Sequence, residues 1–294
     1  MKQPAKPRHN YEYDVLLDSD TAPARVIRMV GSGKRVLEVG AGPGSITRHL
    51  VATNDVVALE IDPSAIEKLR EFCTSIYRVD LNDPEWPAAL AIEERFDAVI
   101  AADVLEHVTD PLRTLQGMKS LLKPDGEIIL SLPHVSHAVV IGCLVDEDFE
   151  YRDWGLLDRT HVRFFGLKNI NRLYADADLA IAEAQFVVRT PEMTEFWPRW
   201  QSLPPDTRDL LIRRPASLVY QVVTRARATT RVPYPVDLMT VPVDLPRGVQ
   251  YSGQRITIGG GTLVDAAKVL ARRHLSAGAR ARILKVFAGL GLRL

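Results

Sequence analysis

Three glycines, Gly40, Gly42 and Gly44, fall within five consecutive positions of the stretch EVGAGPGS, directly after the apolar run RVL. A glycine-rich turn at the end of a strand lets a ligand come close to the backbone. The obvious occupant is a dinucleotide, whose fingerprint is G-x-G-x-x-G with a pyrophosphate at the helix N-terminus. Here the spacing is G-x-G-x-G, and Ser45 takes the third fingerprint position. Glu38 also sets a carboxylate at the mouth of the strand, where it repels a diphosphate and attracts an ammonium group. A ligand that joins a nucleoside to a cationic amino-acid portion suits this turn better. Glu60 ends the next apolar run, twenty residues after Gly40, where an acidic side chain accepts both ribose hydroxyls; alone, it would suit NAD equally. Asp80 ends the run after that, placed to accept from the exocyclic amine of adenine. Taken singly, Gly40 is a turn former and Asp80 a turn or cap residue; the set points to a ligand.

These residues need elements to hold them. TAPARVIRMV spaces its apolar residues as an amphipathic helix ending at Gly31. RVLEVG then reads as a strand, SITRHLVAT as a helix, DVVALEI as a strand and PSAIEKLREFC as a helix with Pro63 in its first turn. SIYRVD and FDAVIAA follow as strands, PLRTLQGMKSLL as a helix, and GEIILSLP as a strand after the turn KPDG. Strands that are almost continuous apolar runs, alternating with helices, predict a doubly wound α/β domain with a mostly parallel sheet. Beyond Pro133 the rhythm loosens: an aromatic-rich stretch over 149–165, a helix over 167–177, a strand at LAIAEAQFVV and a last strand over 217–226.

The composition is that of an ordinary soluble protein: 294 residues, 37 basic and 37 acidic side chains, and two cysteines too far apart for a disulfide framework or a zinc site. That balance gives no general pull toward nucleic acid; the cysteine usage fits a reducing compartment and the polar N-terminus does not read as a signal peptide, so a cytoplasmic protein is expected. The charge is unevenly placed, with nine basic residues and one acidic residue from Leu245 to Leu294. The expected organisation is one domain over 1–228, a proline-rich linker over 229–246, and a small basic helical C-terminal extension over 247–294. The last helical pattern, 279–290, is basic and amphipathic, with peripheral membrane contact or docking on protein as its two readings.

The order VLEVGAGPGS, ALEID, VDLND, FDAVIAADVLEHVTDP, LLKPDGEIILSLP resembles the class I S-adenosylmethionine-dependent methyltransferases, motif by motif from Val36 to Pro133 and more loosely to about Ala228. The resemblance implies a Rossmann-like, seven-stranded sheet whose last strand is antiparallel. It assigns Gly40, Gly42 and Gly44 to close backbone approach, Glu60 to the ribose, Asp80 to the adenine and Glu38 to the methionine end. It adds Ile61, Leu81, Ala102 and Asp103 to the cofactor-binding set, with S-adenosylmethionine as cofactor.

A methyl donor of this kind requires an aligned nucleophile and, for a hydroxyl, a base. His107, His134 and His161 lie on segments expected to reach the cleft. His161 is read as general base, with Asp158 three residues earlier to fix its tautomer; helix capping is the competing role. The segment LLDRTHVRFFG is similar to one in methyltransferases of bacterial glycan and secondary-metabolite pathways, which implies O-methylation of a sugar hydroxyl or related small metabolite, with no nucleic-acid partner. The D-x-x-E-H string is also similar to a divalent-metal site of some O-methyltransferases, which makes Asp103, Glu106, His107 and His161 an alternative set of ligands; the preferred reading needs no metal. Phe149, Tyr151, Trp154, Phe164, Phe165, Trp197 and Trp200 suggest a closed, water-poor pocket. A nicotinamide-dependent oxidoreductase and a noncatalytic cofactor-binding regulator are the competing classes.

Overall fold

The computed structural model describes residues 11–246, 248–251 and 256–258. Two compact units divide them: one comprises 11–135, 151–187 and 220–242, the other 136–150, 188–219 and the described residues from 243 on.

The first unit opens with α1, Ala22–Val30, which buries Ala22, Val26, Met29 and Val30 along one stripe and stops at Gly31, where φ is +72°. The alternation then follows: β1 (Arg35–Val39), α2 (Thr47–Leu50), β2 (Asp55–Glu60), α3 (Pro63–Leu69), β3 (Ser75–Arg78), β4 (Phe96–Ala102), α4 (Pro111–Ser120) and β5 (Leu122–Pro133). Two helix starts are fixed by the same device, a proline in the first turn behind an aspartate that accepts a backbone N–H: Asp62 from Ser64 at 2.8 Å, and Asp110 from Arg113 at 3.0 Å. After α6 (Leu167–Asp176) come β6 (Leu179–Val188) and β7 (Val219–Ala228). The seven strands lie in the order β3-β2-β1-β4-β5-β7-β6, with β7 antiparallel to β5 from Ile128 opposite Ala226 to Pro133 opposite Gln221. This is the mostly parallel, doubly wound sheet that the sequence predicts. Strand order reverses between β1 and β4, whose last paired positions are Val39 and Ala101, and the C-terminal mouth of that pair is where such sheets take ligands. One face of the sheet is sealed by α1 and α2 through Val26, Val30, Ile46, Leu50, Val36 and Ile100.

Several boundaries differ from expectation. The helix expected over 45–53 shrinks to α2, because the glycine turn continues to Ile46. In the second unit the apolar run AVVIGCLV forms α5, Ala138–Val145, started by His137, whose Nδ1 accepts from Val139 N–H at 3.3 Å while Nε2 meets the Arg189 carbonyl at 2.9 Å. The proline- and tryptophan-containing stretch between β6 and β7 forms α7 (Trp197–Ser202) and α8 (Pro205–Leu211). Gly142 lets α5 approach them: a Cβ there would sit 2.9 Å from Leu203 Cδ1. Within 229–246, read as a linker, Leu238 is buried and Val236 N–H donates to the Ile181 carbonyl at 2.8 Å. A hairpin pairs β8 (Val249–Tyr251) with β9 (Ile256–Ile258). The amphipathic pattern over 279–290 lies outside the described residues. Among the described residues no helix is long and apolar enough to cross a membrane.

Gly40 combines φ of +68° with a would-be Cβ only 2.7 Å from Val104 Cγ2, whereas Gly33, at φ +72°, has open space around it. Gly40→Ala should therefore cost about 2–4 kcal/mol, backbone strain plus overpacking, and Gly33→Ala about 1 kcal/mol. Urea unfolding of both variants checks this; equal losses would contradict the packing argument.

Candidate functional site

The first site residues lie at the mouth of β1 and β2. Gly40, Gly42 and Gly44 all adopt positive φ, so the turn is built from conformations that side chains disfavour. At Gly42 nothing stands within 4 Å of a would-be Cβ, leaving its backbone open to a ligand. Glu60 holds this turn, its Oε2 accepting from Gly42 N–H at 2.7 Å and its Oε1 from Ile61 and Asp62 N–H at 2.8 and 2.9 Å. Three backbone donors leave the carboxylate about one further acceptor position. Asp80 is exposed, with Oδ1 closing its own turn through Asn82 N–H at 2.9 Å and Asn82 Nδ2 at 3.2 Å. Ile61 is 48% exposed and Leu81 half-buried.

Glu38 is buried, and its carboxyl accepts from Thr47 Oγ1 at 2.6 Å. Burial raises its pKa to about 8, against the Thr47 hydrogen bond, and the Glu60 carboxylate raises it further. Ala102 ends β4 half-buried, and Asp103 follows it in the left-handed region at φ +55°. That conformation is secured by Asp103 N–H donating to the Ser131 carbonyl at 3.1 Å, Ser131 Oγ donating to Oδ1 at 2.8 Å and Gln221 Nε2 donating to Oδ2 at 2.6 Å. Burial lifts the Asp103 pKa to about 6, with both side-chain donors opposing it.

An N-terminal strap, invisible in the sequence pattern, lies against this mouth. Tyr13 N–H donates to Ser45 Oγ at 3.0 Å, Ser45 Oγ donates to the Tyr11 carbonyl at 3.4 Å, and Glu12 pairs with Lys68. Tyr13 is more than a third exposed overall but turns its hydroxyl inward, where burial and then the Asp103 and Glu38 carboxylates raise its pKa.

A second group sits just past β4. Glu106 and His107 occupy a single 3₁₀ turn, Leu105–His107, and the loop carrying His161 is tied to it by Val162 and Arg163 N–H, both donating to the Glu106 carbonyl at 2.9 and 3.0 Å. Glu106, His107 and His161 bring one ligand atom each within 4.8 Å of one another. The His107 and His161 rings meet edge to face, centroids 4.8 Å apart, and His161 Nε2 lies 3.9 Å from Glu106 Oε1. Glu106 is fully buried, and among the described residues neither of its carboxyl oxygens has a hydrogen-bond partner. Burial, then the charges of Asp103 and Asp158, raise its pKa well above the ordinary value. Burial and then His107 press the His161 pKa down to about 4. Burial also lowers the His107 pKa, so the shifts of all three groups favour the uncharged form. Their chemistry is that of a proton acceptor or of an N,N,O ligand set for a cation.

Three expectations change on contact with this geometry. Asp158 does not orient the His161 ring: its Oδ1 accepts from Thr160 N–H and Oγ1 at 2.8 and 2.6 Å, and its Oδ2 from Tyr11 OH at 3.4 Å. Its direct hydrogen-bonded link to His161 is the backbone bond from His161 N–H to its carbonyl at 3.0 Å. Asp103 is committed to Ser131 and Gln221 and stands outside the histidine cluster. His134, buried at the end of β5, lies outside it as well. The aromatic residues divide between the two units: Tyr151 and Trp154 are 55% and 58% exposed, Phe165 is buried in the first unit and Trp200 in the second. Thr160 and Tyr11 were missed. The Asp-x-Thr spacing is itself a turn signature that points to Thr160, but nothing in the sequence places Tyr11.

Comparison with known proteins gives a consistent set of relatives. Residues 17–184 match the family described as methyltransferase domain. Over 106 residues the chain is 34% identical to a ubiquinone biosynthesis O-methyltransferase of Haemophilus ducreyi, covering 34% of this chain and 45% of that enzyme. Over 136 residues it is 35% identical to an enzyme of the same name from Xanthomonas campestris pv. campestris, covering 44% and 52%. The chain thus spans about half the length of the curated relatives it matches. A crystal structure of a proposed methyltransferase from Bacillus halodurans C-125 shares the fold at TM-score 0.50 and 16% identity, over 70% of this chain and 98% of that one.

Glu38 gives the mouth a pH signature. Its proton is held to about pH 8 when folded but is released near 4.5 when unfolded, so the unliganded protein should lose stability as pH rises through that window. Glu38→Gln removes this contribution. Urea titrations of both proteins across that range should show the variant gaining on the wild type toward alkaline pH; parallel curves would contradict the assignment.

Proposed function

We propose that this chain, which belongs to the methyltransferase-domain family, uses S-adenosylmethionine to methylate a hydroxyl of a small acceptor, a sugar or related metabolite, and that the Glu106–His107–His161 cluster receives the hydroxyl proton. The observation that carries this reading is a pair of uncharged, mutually packed histidines immediately beyond β4, beside a carboxyl group without hydrogen-bond partners. In the proposed reaction the acceptor oxygen attacks the cofactor's methyl carbon, and the carbon–sulfur bond breaks with its electron pair left on sulfur. The hydroxyl proton passes to His161, whose depressed pKa keeps it unprotonated and ready to accept. In this reading Glu38 faces the methionine end of the cofactor, Glu60 the ribose and Asp80 the adenine, with Ile61, Leu81, Ala102 and Asp103 around them. The O-directed names of the relatives support a hydroxyl over an amine or carbon acceptor. The partner in this reading is a small molecule and not nucleic acid.

A second reading rests on the same cluster. A histidine held near pKa 4 is a weak base for an alcohol, and the two unpartnered oxygens of Glu106 fit a divalent cation better than they fit an apolar interior. Glu106, His107 and His161 would hold the ion, whereas Asp103 would not, because Ser131 and Gln221 occupy its oxygens. When bound, such an ion would supply Lewis acidity to the acceptor hydroxyl.

Incubation with methyl-labelled cofactor and a fractionated extract should yield a product heavier by one CH₂ with the label on oxygen. His161→Ala should retain adenosylhomocysteine affinity by calorimetry and lose about 10²- to 10⁴-fold in rate. Turnover unaffected by EDTA selects the histidine base, and loss restored by Mg²⁺ or Mn²⁺ selects the cation. A label on nitrogen or carbon would overturn the O-directed reading. Cofactor binding without any product would favour a regulator.

A further inference from the structure

The carboxyl group of Asp158 is three residues from His161, yet its hydrogen bonds lead to the other histidine. Thr160 Oγ1 lies 2.6 Å from Asp158 Oδ1 and 3.0 Å from His107 Nδ1. A hydroxyl has one proton, and Thr160 gives it to Asp158. Toward His107 the Thr160 oxygen can therefore act only as acceptor. The Thr160 carbonyl, 3.3 Å from the same Nδ1, can likewise only accept. Both contacts require a proton on Nδ1. The remaining nitrogen, Nε2, then carries the lone pair.

We infer that Thr160 is a positioning residue that, with Asp158 behind it, fixes His107 as its Nδ1–H tautomer and presents the Nε2 lone pair to the group it shares with Glu106 and His161. The surroundings are consistent with one orientation. Tyr11 OH lies 3.3 Å from Thr160 Oγ1 and 3.4 Å from Asp158 Oδ2, so its proton has an acceptor on either side and neither arrangement displaces His107. The Tyr11 ring also packs edge-on against His107, centroids 6.4 Å apart, and the His161 ring stands against it at 4.8 Å. The loop that brings Thr160 is the one whose N–H groups at Val162 and Arg163 bind the Glu106 carbonyl. The same backbone contacts that place His161 beside Glu106 thus place Thr160 beside His107. The stretch Asp158 to His161 thereby serves both histidines: it contributes one of them and sets the protonated nitrogen of the other. This deepens the proposed function, since a lone pair on His107 Nε2 is what either a proton or a cation in the cluster would meet. The tautomer itself needs neither acceptor nor cofactor to be observed.

The test is nitrogen NMR of the full chain with ¹⁵N-labelled histidine, with the His107 signals identified by their loss in His107→Gln. The unmodified protein should show His107 as Nδ1–H. Thr160→Val, which keeps the shape and removes the hydroxyl, should shift the tautomer ratio toward Nε2–H by about fivefold, the equivalent of one lost hydrogen bond. Thr160→Ser should restore the Nδ1–H form, an outcome that a merely space-filling role for Thr160 would not give. His107 found as Nε2–H in the unmodified protein, or a ratio unchanged in Thr160→Val, would overturn the inference. If the tautomer is as stated but no hydroxyl is methylated in the labelling experiment, the proposed function fails while the positioning role stands.

Discussion

Carboxyl groups removed from water set the terms at the C-terminal ends of β1 and β4. Glu38 and Glu106 are 4% and 0% exposed, and Asp103 stands one residue past β4. Burying an ionised carboxylate without a partner costs several kcal/mol, so such a group keeps its proton instead. Glu38, with its pKa raised to about 8, is therefore mostly neutral at pH 7, and burial shifts Glu106 in the same direction. A cation that entered would release those protons and find carboxylates already in place. A diphosphate would find the opposite of what it needs. The same constraint thus selects what can fill the site.

The fold supplies this arrangement through topology. Reversal of strand order between β1 and β4 separates the loops that follow these strands, and each loop takes a different task. The loop after β1 is a glycine turn pinned to Glu60 through Gly42. The loop after β4 begins with a strained aspartate and continues into the turn that carries Glu106 and His107. Asp103 is better understood as the anchor between these parts than as a ligand, because Ser131 from β5 and Gln221 from β7 both hold its side chain. Its left-handed backbone sends the chain toward the histidine cluster.

Much of this was legible in the sequence, for identifiable reasons. The buried strands are nearly continuous apolar runs, and Asp-Pro pairs mark the starts of α3 and α4, so the order of elements could be read directly. The run AVVIGCLV was harder, since it is apolar all round and lacks helical periodicity. It becomes α5 because His137 caps it and Gly142 admits Leu203 and Trp200 of its own unit, which no local pattern reveals. The pairing of Asp158 with His161 followed from their spacing alone. In the fold Thr160 is nearer, and an aspartate closing a turn on a threonine two positions on outcompetes the longer reach to the ring. The Gln221 partner of Asp103 and the placement of Tyr11 depend on residues 118 and 147 positions away. Spacing along the chain carries no trace of either.

The central claim is that the mouth of β1 and β4 stores protons on buried carboxyl groups until a cation arrives. It is tested most directly by titrating S-adenosylmethionine into the protein calorimetrically at neutral pH, in two buffers of different ionisation enthalpy. The account predicts net proton release on binding, diminishing as the pH is raised past about 8, where Glu38 is already ionised. Binding heats independent of the buffer, or heat with NADH and none with S-adenosylmethionine, would contradict it.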